Sequence, residues 1–166
     1  ETGNIKAIAN LTLQESGNYA ETYNYAVGSS TEPGSTFKLA SMICLLEDGH
    51  VDITDSVDIE GGIKKYYDRT MKDSKTGVYN NITVAKAFEI SSNVGISKLV
   101  NQHYQSKPEQ MVDRLIAMRL DEPLGLEIKG EGQPSIASPE DAGWSGISLP
   151  WMSIGYEVLQ TPLQIL

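Results

Sequence analysis

Cysteine is almost missing from this 166-residue sequence; Cys44 is the only one. A lone thiol cannot close an internal disulfide, and Cys44 stands in an apolar run after Lys38. It therefore reads as a buried thiol behaving as a small hydrophobe, not as a reactive group, which would want an exposed, electropositive setting. It leaves the compartment open, because proteins without disulfides occur on both sides of a membrane.

Positive charge is scarce as well. Lysine and arginine number 13 against 22 aspartates and glutamates, a formal charge of -9. With no basic tract to offset this, the charge argues against nonspecific binding to nucleic acid or to an anionic lipid surface. No apolar run approaches the roughly 20 residues of a membrane-spanning helix, and no secretory signal pattern is present. Any membrane anchor is thus expected outside the sequence. The sequence opens on Glu1 and closes inside an apolar run, Leu163-Gln164-Ile165-Leu166, so both ends are expected to be cut.

Histidine occurs only as His50, which follows a helix-ending glycine, and His103, at a helix end; neither supports a Ser-His-Asp triad. The aspartates Asp52, Asp55 and Asp58 alternate with apolar residues, but they lack the loop glycine and terminal glutamate of a calcium hand. They read as a solvated face, and no metal or organic cofactor is called for.

What the sequence does contain suits one domain with a real core, at 40% hydrophobic residues. Asn4 to Gln14 and Thr22 to Val27 read as two strands of an antiparallel hairpin, the second with Tyr23, Tyr25 and Val27 on one side. A loop from Gly28 to Gly34 leads into a helix from Ser35 to Asp48, stopped by Gly49 and apolar on nearly every face, which places it in the middle of a domain. Val51 to Asn81 reads as polar surface with a short strand or two. Helices are expected over Val84 to Ile90, with Thr83 as cap, then Val94 to Tyr104 and Pro108 to Leu120. Asp121 to Trp151 is rich in glycine and proline and reads as an extended surface connection; Thr161 and Pro162 mark the start of a last helix.

The stretch around which this pattern is arranged is Glu32-Pro33-Gly34-Ser35-Thr36-Phe37-Lys38. On a helix, a spacing of three brings Ser35 and Lys38 to one face. A lysine desolvated there sheds its proton more readily, and the neutral amine can take a serine proton. The helix N-terminus adds unpaired N–H groups near the charge that develops in acyl transfer. Serine is also the common cap at such a boundary, so this pair alone leaves both roles open.

Two further features follow in order: Ser91-Ser92-Asn93 between two helices, and Ser153-Ile154-Gly155-Tyr156 leading to Thr161-Pro162-Leu163-Gln164. Together with Pro33-Gly34-Ser35-Thr36-Phe37-Lys38 they resemble the transpeptidase domain of the penicillin-binding proteins, whose signature is serine-x-x-lysine, serine-x-asparagine and lysine-threonine-glycine. The closing motif is most similar to the monofunctional, membrane-anchored class B of cell-division type. The resemblance spans essentially the whole chain.

It implies an α/β fold of α+β type, the penicillin-binding and serine β-lactamase-like fold. Residues 1–166 would be one partial domain, an N-terminal hairpin and a mainly helical region around a buried central helix. It implies Ser35 as nucleophile, Lys38 as its base, Ser91 as proton relay and Asn93 as a substrate amide binder that also orients Lys38. Peptidoglycan stem peptides and β-lactams would be its ligands, other division proteins possible partners, and the periplasmic face of a bacterial inner membrane its location. Lys75-Thr76-Gly77 precedes the second motif, in a polar loop, where the family places its copy after both and on a strand. We read it as coincidence, with the true motif and the C-terminal sheet strands beyond Leu166.

Without that strand the chain is expected to be inactive by itself. The hairpin edge and one helix face would also be uncovered, inviting an edge-paired or swapped homodimer. Two alternatives share parts of this pattern. A serine β-lactamase or β-lactam sensor needs a water-activating carboxylate, which Glu89, Glu127 and Glu131 do not clearly supply. A noncatalytic interaction module would leave the intact motifs unexplained.

Overall fold

The structure is a computed structural model that describes residues 3–166. Its first elements are two-residue strands, β1 (Thr12–Leu13) and β2 (Tyr19–Ala20), paired antiparallel with Thr12 opposite Ala20. The expected hairpin is therefore real but shorter, and its second strand is placed differently. Within the stretch read as that strand, Tyr25–Gly28 forms a helical turn, α1. Asn10 explains the change: its Oδ1 accepts from the Ala26 N–H and its Nδ2 donates to Asn24, while the Asn24 carbonyl accepts from Gly28. Such pairing tips four residues into a turn that alternation alone cannot distinguish from a strand.

A 3-10 turn, Gly34–Phe37, runs directly into α2 (Lys38–Glu47). Then come β3 (Ser56–Asp58), β4 (Ile63–Tyr66), β5 (Arg69–Lys72) and β6 (Asn81–Thr83), forming two antiparallel pairs, β3 with β6 and β4 with β5. The polar segment holds more strand than its sequence suggests, because its apolar residues are single and widely spaced. Val57, Tyr66, Met71 and Ile82 each point inward from a strand otherwise largely solvated.

The helices α3 (Val84–Glu89), α4 (Asn93–Tyr104) and α5 (Glu109–Ala117) follow where helical spacing places them. Thr83 caps α3, accepting from the Lys86 N–H. The last elements are β7 (Ser135–Ile136), α6 (Ser148–Met152), β8 (Val158–Leu159) and α7 (Pro162–Ile165), with β7 paired to β8. Thr161 and Gln164 make the capping box of α7. The helix α6 departs from the extended connection expected up to Trp151. Pro150 reads as a breaker but sits in the first turn, where a missing N–H costs nothing, and Leu149 and Met152 are buried.

The core lies between α2, α4, α5 and α6, lined by Leu45, Val94, Ile96, Val100, Met111, Leu115 and Met152. The central helix α2 is not covered all round. Lys38, Ser41, Met42, Cys44 and Leu45 face inward, but Leu39, Ile43 and Leu46 form an exposed apolar stripe. Cys44 is buried as expected, and burial pushes its thiol up to about 11, out of the reactive range.

Candidate active site

Ser35 is presented by a turn whose geometry is imposed by its neighbours. Pro33 fixes one backbone angle, and Gly34 takes φ 59, in the left-handed region that favours glycine. The Gly34 N–H donates to the Gly155 carbonyl at 3.1 Å, and Thr36 Oγ1 donates to the Pro33 carbonyl at 2.8 Å. Gly155, itself at φ 88, lies so close that a Cβ there would stand 2.0 Å from the Gly34 oxygen. The segment carrying Gly155 is tied to α2, since Ser41 Oγ donates to the Ser153 carbonyl at 2.8 Å. Ser35 is left exposed at the mouth of the turn, whereas Lys38, three residues on, is 2% exposed.

The second motif meets this lysine from the α3–α4 junction. Lys38 Nζ is 3.0 Å from Ser35 Oγ, 2.9 Å from Ser91 Oγ, 2.7 Å from the Ser91 carbonyl and 2.6 Å from Asn93 Oδ1. All four residues singled out in the sequence thus converge on one nitrogen. Ser91 adopts φ 55, a left-handed conformation unusual for serine, and this lets its carbonyl and its hydroxyl face Lys38 together. The Asn93 amide is oriented by its other end, because Nδ2 donates to the Lys72 carbonyl at 2.8 Å, leaving Oδ1 for the amine.

The Ser91 carbonyl and Asn93 Oδ1 can only accept, so they hold two N–H bonds of Nζ whether or not it is charged. The hydroxyls of Ser35 and Ser91 face the rest of Nζ, where they accept from the ammonium or, once it is neutral, one of them donates to its lone pair. Burial favours the neutral form. It lowers the ammonium to about 8, against an opposing pull from the negative charge of Asp73.

That depression bears on stability. The unfolded chain holds the proton up to the ordinary value of 10.5 and the folded one releases it near 8, so the penalty is full below pH 8 and disappears as pH rises through 10.5. At about 1.4 kcal/mol for each pH unit, the relief is about 3 kcal/mol. Urea unfolding of wild type and Lys38→Met at pH 7.5 and pH 10.5 is expected to show wild type gaining about that much relative to the variant. An unchanged difference would mean that Lys38 is not depressed.

Two of the site's supports carried no sequence signal. Asp73, within the segment read as polar surface, accepts from Ser92 Oγ at 2.7 Å and from the Val94 N–H at 2.9 Å. Its neighbour Lys72 supplies the carbonyl that orients Asn93. Each lies 19 to 21 residues from the residues it supports, so no local pattern marks it. Lys75-Thr76-Gly77, by contrast, lies exposed between β5 and β6, with Gly77 bonded to the Gly61 carbonyl. The histidines stack on one another, ring centroids 4.8 Å apart, at the opposite end of α2 from Ser35.

The sequence pattern of the Penicillin binding protein transpeptidase domain matches residues 1–166. The chain belongs to the penicillin-binding protein transpeptidase family. Two curated relatives, the peptidoglycan D,D-transpeptidase FtsI of two Escherichia coli strains, are each 28% identical over a 172-residue alignment. That alignment takes in 99% of this chain and 27% of the relative, so the chain spans about a quarter of their length. Among solved structures, the apo transpeptidase domain of Burkholderia pseudomallei penicillin-binding protein 3 superposes with a TM-score of 0.76 at 22% identity. The match covers 86% of this chain and 41% of that one. A Burkholderia ambifaria protein described as a peptidoglycan glycosyltransferase gives the same score at 21% identity, covering 86% and 43%. The mixed helix and strand architecture is thus the penicillin-binding fold in part. Among the described residues no helix is long and apolar enough to cross a membrane, and no cluster of residues could hold a metal ion.

Proposed function

We propose that residues 1–166 are part of the transpeptidase domain of a longer protein, a D,D-transpeptidase of peptidoglycan cross-linking of the cell-division type. The observation that carries the proposal is the buried, four-partnered Lys38 amine set 3.0 Å from an exposed Ser35 hydroxyl. Neutral Lys38 takes the Ser35 proton, and Oγ attacks the carbonyl between the two terminal D-alanines of a stem peptide. The tetrahedral adduct collapses as the leaving amine receives that proton through Ser91, releasing D-alanine and leaving an ester on Ser35. An amine from a neighbouring stem peptide then attacks the ester and restores the serine. Asn93 binds a substrate amide and holds Lys38. β-Lactams acylate the same oxygen.

The protein works on the periplasmic face of a bacterial inner membrane, held by an anchor outside this sequence, beside other division proteins. The lysine-threonine-glycine strand, with its oxyanion donor, is likewise assigned to the rest of the domain. Losing one such donor lowers turnover on the order of a hundred- to a thousand-fold. Fluorescent penicillin is therefore expected to label Ser35 of the parent protein in a long-lived adduct and residues 1–166 alone that much more slowly. Equal rates would place the missing donor inside this chain.

Rapid penicillin hydrolysis by the parent would instead make it a β-lactamase. Two of the three carboxylates weighed for that task are engaged elsewhere: Glu89 pairs with Lys86, and Glu131 accepts from the backbone of Leu124, Gly125 and Leu126. By itself the chain exposes the Leu39, Ile43 and Leu46 stripe, while the hairpin edge is only two residues long. Self-association is thus expected through α2. In sedimentation velocity, Ile43→Glu should shift the isolated chain toward monomer.

A further inference from the structure

Asp73 lies just past the end of β5, half-buried against the first turn of α4. Both of its oxygens are committed there, Oδ2 to Ser92 Oγ and Oδ1 to the Val94 N–H. The carbonyl of the preceding residue, Lys72, holds Asn93 Nδ2. Lys72 and Asp73 therefore grip three consecutive residues, Ser92 and Asn93 of the second motif and Val94 after them. The residue before that grip, Ser91, is the one in the left-handed conformation, which persists only where its surroundings over-determine it. The carboxylate also completes the start of a twelve-residue helix, where unpaired N–H groups and the dipole favour negative charge. Asp73 is not among the hydrogen-bond partners of Lys38 Nζ, which are Ser35, Ser91 and Asn93.

We infer that Asp73 is a positioning residue of this site: it locks the Ser91–Asn93 turn against Lys38 and sets a fixed negative charge near the amine without bonding to it. The inference rests on Lys38 being the base for Ser35. Its consequence is a balance of two forces on one proton. The groups in contact with Lys38, from the Ser35 turn and from the α3–α4 junction, are neutral. Among the described residues, Asp73 is the charged group whose field acts on it, and that field opposes burial. A lysine desolvated with no such charge would stay neutral further down the pH scale. It would then be a weaker base toward Ser35, because a base loses strength as its conjugate acid gains it.

The test is a proton titration of Lys38 in the 166-residue chain, followed by NMR on lysine carrying 13C at Cε. Wild type is expected to titrate near 8, and Asp73→Asn, which keeps the shape but not the charge, below it. Ser92→Ala removes one anchor and keeps the charge, so its midpoint should stay with wild type. Asp73→Ser gives the same comparison if Asp73→Asn does not fold. An unmoved midpoint in the charge-removing variant, or an equal fall in Ser92→Ala, overturns the inference.

In the parent protein, the acid limb of the penicillin acylation profile should move to lower pH in Asp73→Asn, with a lower plateau. A residue acting only on structure would lower the whole profile in place. If wild-type parent takes up no penicillin at Ser35, the enzymatic proposal fails while the titration still decides the role of Asp73.

Discussion

Gly155→Ala is expected to destabilise the fold by about 3 to 5 kcal/mol, the combined scale of left-handed backbone strain and of forcing an atom into a filled space. Position 155 has φ 88, and its Cβ would meet the Gly34 oxygen at 2.0 Å and the Gly34 carbonyl carbon and nitrogen at 2.6 Å. All three are backbone atoms, so no side chain can swing aside. The Gly34 N–H to Gly155 carbonyl bond would be lost in the same movement. Because Gly34 is the residue before Ser35, the strain is delivered to the turn that presents the hydroxyl. Denaturant unfolding of the chain reads the first effect. A penicillin acylation rate in the parent that falls further than the folded fraction reads the second. A variant as stable as wild type would mean that the two backbones are not in contact.

The second large effect concerns the amine. Lys38→Ala is expected to slow acylation of the parent protein by penicillin on the order of a hundred- to ten-thousand-fold, the usual worth of a positioned general base. In wild type the rate should climb with pH and level off near 8, since the amine must be neutral to accept the Ser35 proton and burial lowers it to about that value. The variant should lack that limb. Loss of rate with the limb intact would assign the titration to another group. Asn93→Ala tests the orientation of the amine: removing Oδ1 leaves Lys38 with the two serines, so a smaller loss is expected, with the limb retained.

The four motif residues could be picked out because together they resemble the penicillin-binding signature; spacing alone put Ser35 and Lys38 on one face and left their role open. A hydroxyl and an amine on one helical face must stand three or four apart, and a break between two helices is written in Ser91-Ser92-Asn93. The helix α5 was legible from a repeat near 3.6 in Met111, Val112 and Leu115, and α2 from an apolar run stopped by Gly49. What could not be read is whatever depends on a partner far along the chain. Asn10 turns Tyr25 to Gly28 into a helix from sixteen residues away, and Pro150 begins a helix only because Leu149 and Met152 find the core. Asp73 looks like any surface acid until α4 is placed on it. The exposed stripe on α2 is legible only in part: the sequence shows Leu39, Ile43 and Leu46 as apolar but not which neighbour each one meets.

The central claim is that Ser35 Oγ is the nucleophile that carries the acyl group, and peptide mapping by mass spectrometry tests it most directly. After incubation with penicillin G, the parent protein is expected to carry one penicilloyl group on the peptide containing Ser35, with none on Ser35→Ala. Modification of a different serine, or an adduct that persists in Ser35→Ala, would contradict the account.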